Sequence, residues 1–325
     1  MNSAHPSRPS TAAVALALLI VYVVWGSTYL GIAVMIETLP PLLAAGVRYA
    51  TAGVLMLGAL AAYARFRRST APAERPTAAH WRSAFIVGTL LLLGGNGGVV
   101  LAELYIPSGI AAVLVATVPI WLAVFDAVLS RRWPSKLAIG GLGAGIVGVA
   151  IMLAPVEGVG RIDPLGVGLV VLATISWAAG SLYARRAPLP SSQLLGTGLE
   201  MLAGGIALVV AGTLIGEIGR TNVEAFSLRS LIALVYLTIF GSIVAFTAYT
   251  WLLAKVPVTT VGTYAYVNPI VAVALGAILL SEPITPRTLV ATVIIIGAVV
   301  AMVSGRPRET EEGGPVPEAA TLEPE

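Results

Sequence analysis

The chain has 325 residues, of which 57% are hydrophobic and 11% are charged, and its mean hydropathy is +0.92. A soluble domain carries about 25% charged residues, so this chain lacks the polar material for a water-facing surface. The composition excludes water-soluble globular enzymes and disordered proteins. It predicts an all-α polytopic membrane protein.

Ten apolar segments each come close to the roughly 20 residues that a spanning helix needs. Their continuous apolar runs favour helices over the alternating strands of a transmembrane barrel. The residues before the first segment form a predicted N-terminal tail, 1–10, and those after the last form a predicted disordered acidic tail, 305–325. The ten segments are Thr11–Met35, Pro41–Ala64, Ser83–Tyr105, Ser108–Ser130, Leu137–Pro155, Leu165–Ala184, Leu194–Gly216, Ser230–Ala254, Thr259–Leu280 and Thr288–Val303.

The lysine and arginine residues are distributed unevenly between the two sides of the predicted membrane. Most of the 19 fall in the connections on the side of the N-terminus. Positively charged connections favour the cytoplasm. We therefore expect a multi-pass protein of the cell (inner or plasma) membrane with both termini in the cytoplasm.

The sequence contains an internal repeat, whose boundary lies between the fifth and sixth segments. In segments two and seven a Leu-Leu-x-x-Gly pattern recurs, so that Gly46 and Gly53 match Gly198 and Gly205. Each single match is weak in an apolar sequence. The order and the nearly constant offset of several matches are stronger evidence.

Segments four and nine carry a second match, in which Pro107 and Pro119 correspond to Pro257 and Pro269. Each repeat contains five helices, and because five is odd the second repeat enters the membrane from the opposite side. We therefore predict two inverted five-helix repeats. Inverted repeats are the architecture of alternating-access carriers, which bind substrate near the membrane midplane.

These residues also carry a family resemblance. The chain resembles the drug/metabolite transporter (DMT) superfamily, specifically its ten-helix EamA-type branch. The resemblance implies two EamA-like repeats, which we place at residues 11–155 and 156–304, and secondary transport of small metabolites, often export of amino acids. In the first repeat Arg131-Arg132-Trp133-Pro134 stands where the second has Ser281-Glu282-Pro283, so the acidic residue of the family appears there once. The stretches that carry the resemblance are residues 25–29, 41–48, 116–120, 264–270 and 280–283.

Polar and aromatic residues inside the apolar segments are candidate substrate-binding residues. Thr260, Tyr264 and Asn268 recur every four residues and predict one polar helix face. The corresponding face of segment four, which includes Leu114, is apolar, so the two walls would suit a small amphipathic solute. The alternative is that the polar face only stabilises helix packing.

Five further candidates are aromatic or polar residues of the apolar segments. Asn96 lies among four glycines in segment three, which predicts either a pliable helix at a cavity or close helix packing. Trp25 and Trp177 lie deep in their segments, where a cavity is favoured over an interfacial position. The remaining candidates are Thr28 and Trp121.

Charged residues inside the apolar segments need partners or water. We predict structural ion pairs between Arg48 and Glu103 and between Glu200 and Lys255. The alternative is that all four side chains reach water independently.

Pro119 and Pro269 are predicted to lie inside their helices, where each removes a backbone hydrogen bond. They are candidate hinges for alternating access. A static kink is the alternative.

The sequence argues against the other classes of function. Cysteine is absent, and the two histidines, His5 and His80, lie outside the apolar segments, which leaves no metal site or histidine base in the membrane. No motif for a nucleotide or another cofactor is visible. We therefore expect a carrier rather than an enzyme, with export favoured and with a lipid-linked sugar flippase or an uptake permease as alternatives.

The expected partners are a small-molecule substrate, the lipid bilayer and, as a candidate coupling ion, protons. No nucleic-acid partner is expected, and the functional unit is expected to be a monomer.

Overall fold

The computed structural model describes residues 10–66, 74–131, 136–153, 162–253, 255–256, 258–261 and 263–304. The two predicted tails lie outside these residues, apart from Ser10. Ser10 caps the first helix, because its side chain accepts a hydrogen bond from the backbone N–H of Ala13 at 3.2 Å.

The described part of the chain is helical and contains no β-strand. Between the seventh and eighth long helices lie two short helices, Glu217–Arg220 and Val223–Ala225. The long helices are α1 (Thr11–Met35), α2 (Pro41–Phe66), α3 (Ala78–Ala102), α4 (Ser108–Val115 and Val118–Ser130), α5 (Lys136–Leu153), α6 (Pro164–Ala184), α7 (Gln193–Leu214), α8 (Leu228–Leu252), α9 (Val258–Val261 and Tyr264–Leu280) and α10 (Pro286–Ser304).

Seven of these helices, α1 to α4 and α6 to α8, are long and apolar enough to cross a membrane. Helices α5, α9 and α10 contain shorter apolar stretches. The predicted all-α polytopic fold is confirmed. Here the face of the bundle at which α1 begins is called the terminal face, and the opposite face is called the distal face.

The inverted repeat is visible in the packing of α2 against α7. A Cβ added at Gly46 would lie 2.9 Å from the carbonyl oxygen of Gly205, and one added at Gly53 would lie 2.9 Å from that of Gly198. In the repeat Gly46 matches Gly198 and Gly53 matches Gly205, so exchanging the two helices converts one contact into the other. This reciprocity is what a pseudo-two-fold axis between antiparallel helices produces. Small residues let the two backbones approach closely without a hydrophobic driving force.

Equivalent helices pair elsewhere as well. Helix α5 packs on α10, its counterpart in the second repeat, and the contact of α3 with α6 is matched by the contact of α8 with α1. The equivalence extends to single backbone conformations. Arg131 and Ser281 end α4 and α9 at matched positions, and both adopt the left-handed conformation, with φ of 52° and 57°.

Carboxylates cap helix starts at the distal face. Glu282, between α9 and α10, accepts hydrogen bonds from Ser108 N at 2.8 Å, Ser108 Oγ at 2.7 Å and Gly109 N at 3.0 Å. Glu217, after α7, accepts from Leu42 N at 3.0 Å and Leu43 N at 2.8 Å. The first N–H groups of a helix have no partner within it, so an acceptor and a negative charge are both favourable there.

The terminal face repeats this arrangement for α7. Glu74, in the connection after α2, accepts hydrogen bonds from Ser191 Oγ at 2.6 Å, Ser191 N at 3.1 Å and Ser192 N at 3.3 Å. The first repeat thus supplies a carboxylate to the start of α7, and the second repeat supplies Glu217 to the start of α2. The cap is reciprocal, as the inverted repeat requires.

Helix α4 is interrupted at residues 116–117, and this corrects the predicted position of Pro119. Pro119 lies in the first turn of Val118–Ser130, not inside a continuous helix. A first-turn proline loses no helical hydrogen bond, because its missing N–H would have had no partner in the helix. Pro269 does lie inside its helix, Tyr264–Leu280, as predicted.

Helix α9 is also interrupted, which corrects the prediction of one continuous polar face. Thr260 belongs to the short piece Val258–Val261, whereas Tyr264 begins the long piece. At the interruption the Thr263 hydroxyl donates to the carbonyl of Thr260 at 2.6 Å, which competes with regular helical bonding. Tyr264 and Asn268 remain one turn apart on the same helix.

Candidate functional site

Three helices of the bundle contain π-helical segments, at Val21–Trp25 in α1, Thr89–Gly97 in α3 and Leu237–Val244 in α8. The segments in α3 and α8 occupy nearly equivalent positions of the two repeats. π-Segments are wider than α-helical turns and frequently accompany functional sites. The glycine-rich stretch that contains Asn96 lies in one of them, and Gly241 and Ser242 lie in its counterpart.

An aromatic cluster joins α1 to α8 and α9. It is centred on Trp25, whose ring centroid lies 5.2 Å from Phe246, 5.1 Å from Tyr249 and 5.2 Å from Tyr264. Tyr249 and Tyr264 also meet edge to face at 5.9 Å. These separations are those of favourable aromatic pairs. The cluster therefore lies where the first repeat meets the second.

Asn268 lies one helical turn after Tyr264 on α9 and is 7% exposed. With its amide nitrogen facing the backbone, it donates to the carbonyl oxygens of Tyr22 and Tyr264 at 3.2 Å each. A second polar contact of α1 with α9 joins the Tyr22 hydroxyl to the Thr263 hydroxyl. Two of the predicted polar residues of α9, Tyr264 and Asn268, thus face α1.

Arg48 of α2 is 3% exposed. Its Nε donates to Ser242 Oγ of α8 at 3.0 Å, and its guanidinium carbon lies 4.5 Å from the ring centre of Tyr49. Its Nη1 is buried without a hydrogen-bonding partner. Guanidinium has five N–H donors and stays charged in proteins, so the two donors of Nη1 are unused here.

The hydroxyls of Ser27 and Tyr236 lie 2.6 Å apart, and Tyr236 is close enough to Arg48 for an electrostatic interaction. We call Ser27, Arg48, Tyr236 and Ser242 the guanidinium cluster. It gathers side chains of α1, α2 and α8. All of them lie within the spanning helices.

Gly241 connects the two clusters. Its carbonyl oxygen accepts a hydrogen bond from Trp25 Nε1 at 3.2 Å. A Cβ at Gly241 would lie 3.1 Å from Arg48 Nη2 and 3.0 Å from the Thr28 methyl group. The absence of a side chain at this position therefore lets the aromatic cluster and the arginine share one stretch of α8.

Three other predicted substrate-binding residues, Trp177, Leu114 and Trp121, belong to neither cluster. Trp177 packs on the π-segment of α3, where its ring would lie 2.8 Å from a Cβ on Gly95, next to Asn96. Leu114 is 1% exposed and belongs to the apolar core, so it does not line an open space in this conformation. Trp121 is half-buried, and its indole nitrogen has no hydrogen-bonding partner.

The predicted pair of Arg48 and Glu103 does not form. The guanidinium turns toward Ser242, and both carboxylate oxygens of Glu103 are buried without a hydrogen-bonding partner. The prediction was wrong because a serine on α8 lies closer to Arg48 than the end of α3 does.

The second predicted pair, Glu200 and Lys255, is also absent from the described residues, whose one ion pair within 4.0 Å joins Arg229 to Glu37 at 3.5 Å. Lys255 is exposed, and Glu200 lies on the packed side of α7 against α3, where its backbone carbonyl approaches Gly88. The lysine has water available, so a partner in the protein is not required.

Sequence reasoning missed Phe246, Tyr249, Gly241 and Ser242. The repeat could not have found Gly241 and Ser242, because at an offset of 150 they align with Leu91 and Leu92. The two aromatic residues had no signal either. Aromatic residues are common at membrane interfaces, and only the packing shows which of them meet.

Comparisons with known proteins give the family. The model of the "EamA-like transporter family" matches residues 12–154 and 164–304. The Escherichia coli K12 protein named "Uncharacterized inner membrane transporter YedA" is 39% identical over 292 residues, which cover 89% of this chain and 90% of that protein. "Protein PecM" of Dickeya dadantii is 26% identical over 286 residues, covering 85% and 88%. A crystal structure covering 91% of this chain and 96% of its own has a TM-score of 0.58 at 18% identity, and it shares the fold. The chain is therefore a membrane transporter protein that belongs to the EamA-like transporter family of the drug/metabolite transporter superfamily.

Proposed function

We propose that this protein is a secondary carrier that moves small amphipathic metabolites across the membrane by alternating access, and that it exports amino acids or related compounds. The observation that carries the proposal is the aromatic cluster at the junction of the repeats, joined through Gly241 to a buried arginine. Aromatic faces suit the apolar part of a small solute, and a few convergent polar groups suit its polar part.

The position of these groups supports a carrier. Inverted-repeat carriers bind substrate between their halves, near the midplane, where segments that depart from the α-helix line the site. Trp25 comes from the first repeat, whereas Tyr249, Tyr264 and Asn268 come from the second. A relative motion of the halves would open this junction toward one face at a time.

Orientation and coupling complete the proposal. The excess of lysine and arginine on the terminal face favours a cytoplasmic location for both termini in the cell membrane. An ion gradient, with protons as the candidate ion, or the gradient of the substrate itself would drive transport. One chain contains both repeats, so a monomer would suffice.

The test is transport by the purified full chain in proteoliposomes. A panel of labelled aromatic, branched and polar amino acids is offered with and without a pH gradient. We expect uptake of at least one amphipathic member above protein-free vesicles, and a response to the pH gradient if protons are coupled. Uptake of none of the panel, with transfer of a lipid-linked sugar between leaflets, would replace this proposal by the flippase.

Two tryptophans provide a matched control. Trp25→Ala removes the centre of the aromatic cluster and should slow transport about tenfold, the factor for losing ~1.4 kcal/mol of aromatic contact. Trp81→Ala removes a tryptophan of α3 that is 42% exposed and should leave transport unchanged. Equal rates for the two variants would remove the aromatic cluster from the site.

A further inference from the structure

Arg48 has a buried charge with no counter-ion in the described part of the chain. No carboxylate of these residues lies within 4.0 Å of it, and the ion pair that does form involves Arg229 and Glu37. A buried, uncompensated charge is costly, and an arginine cannot escape the cost by losing its proton. A site that retains such a group has a use for it in the presence of a partner.

The geometry limits what that partner can be. Ser242 occupies Nε and Tyr49 covers one face of the guanidinium, so the free side is the one that carries Nη1. The unpartnered N–H donors of Nη1 match a carboxylate oxygen, which accepts short, charge-assisted N–H···O bonds. A cationic or purely apolar ligand would leave the charge uncompensated.

The surroundings of Arg48 limit the size of the ligand and indicate a second chemical feature that it should carry. Gly241 lies against Arg48 Nη2 on one side, and its carbonyl holds the indole of Trp25. A carboxylate at Arg48 therefore has the aromatic cluster within the length of a small molecule. The Ser27 hydroxyl donates to the Val24 carbonyl, so its contact with Tyr236 uses the Tyr236 proton and the guanidinium supplies the free donors.

We infer that Arg48 is an anion subsite that binds the carboxylate of a small organic acid or amino acid, with the apolar part of the ligand directed toward the aromatic cluster. The inference rests on the proposed function, and it narrows the substrate class to solutes with a carboxylate. Ser242 acts as a positioning residue, because its hydroxyl accepts from Nε and fixes the orientation of the guanidinium.

The test uses binding to the purified full chain in detergent, so that it does not depend on transport. The melting temperature is measured with sodium phenylacetate, phenylalanine, phenethylamine hydrochloride and sodium chloride at equal ionic strength. A ligand that binds only the folded protein raises the melting temperature. We expect phenylacetate and phenylalanine to raise it above the sodium chloride control, and phenethylamine, which lacks the carboxylate, to leave it unchanged.

Three variants assign the effect to one residue. Arg48→Gln should weaken the apparent affinity for phenylacetate at least about tenfold, the factor for one charge-assisted hydrogen bond. Arg48→Lys keeps the charge without the planar fork and should bind with intermediate affinity, which also guards against a Gln variant that fails to fold. Arg229→Gln, at a side chain that is 58% exposed, should bind as the wild type does.

The inference is overturned by an equal response to phenylacetate and phenethylamine, by no response to either carboxylate in the wild type, or by an unchanged response in Arg48→Gln. Proteoliposome transport then judges the proposed function separately. A wild type that transports neutral or cationic amphipathic solutes, without any carboxylate response, keeps the carrier and loses the anion subsite.

Discussion

Glu282 is half-buried and Arg48 is buried, and the two charged side chains find partners to very different extents. Glu282 accepts three hydrogen bonds from the first turn of α4, whereas Arg48 uses one donor, Nε, and leaves Nη1 without a partner. The carboxylate is matched by the folded chain itself. The contrast indicates that the first charge stabilises the fold, and it is the basis of our proposal that the second binds a ligand.

The largest effect is expected at the start of α4, which Glu282 caps. Glu282→Ala leaves the Ser108 and Gly109 N–H groups without an acceptor and should lower the free energy of unfolding by about 3 kcal/mol. Chemical denaturation in detergent measures the loss. Glu224→Ala, at an exposed carboxylate, is the control and should change little. Equal stability of the two variants would mean that the cap at α4 has no structural role.

Arg48→Met should behave in the opposite way. Replacing a buried unpaired charge by an apolar side chain of similar length removes a desolvation cost, so we expect stability to rise by about 1 kcal/mol or to stay the same. Carboxylate binding should be lost in the same variant. A loss of stability above about 2 kcal/mol would show instead that the guanidinium mainly holds α2 and α8 together.

Glu103 is a smaller test of the same rule. Both of its carboxylate oxygens are buried without a partner, and its charge lies close enough to Glu282 to interact with it. Glu103→Gln removes the like-charge interaction and should stabilise the protein by up to about 1 kcal/mol. Thermal unfolding of Glu103→Gln beside the wild type measures this gain. A marked destabilisation would indicate a hydrogen-bonding role that the present conformation does not contain.

The smallest expected effect concerns Glu74, which lies at the surface. The hydrogen bonds from the Ser191 hydroxyl and then from the Ser191 backbone hold the pKa of Glu74 below its ordinary value. A carboxylate whose folded pKa is lowered stabilises the protein above its unfolded pKa, about 4.3, and this contribution is lost as the pH falls through the folded value. The melting temperatures of Glu74→Gln and the wild type should therefore differ slightly at pH 7 and converge in acid. A difference that does not change with pH would exclude this carboxylate as the cause.

The fold was predictable because it depends on long apolar runs and on a repeat that single residues mark. Gly46 and Gly205, identified as repeat positions from the sequence, turned out to contact each other across α2 and α7. The predicted start and end of α1 agree with the structure. The interruption of α4 was not predictable from Pro119 alone, because a proline is compatible with both a kink and a first turn.

The candidate site was predictable only in part. Tyr264 and Trp25 were identified from polar and aromatic character, and the structure brings them together. The partner of Arg48 was predicted wrongly, since helix depth constrains where a side chain lies along the membrane but not which neighbouring helix it faces. Ser242 became a candidate only when α8 was seen to pack against α2.

The reciprocal caps have a consequence for how the two halves assemble. Glu217 and Glu282 belong to the second repeat and bind helix starts of the first, while Glu74 of the first repeat binds the start of α7. A chain divided between residues 153 and 162 would yield two fragments, each exposing helix starts whose acceptors lie on the other. Neither fragment should be stable alone, and coexpression should restore both, because each five-helix unit depends on the other for its helix caps.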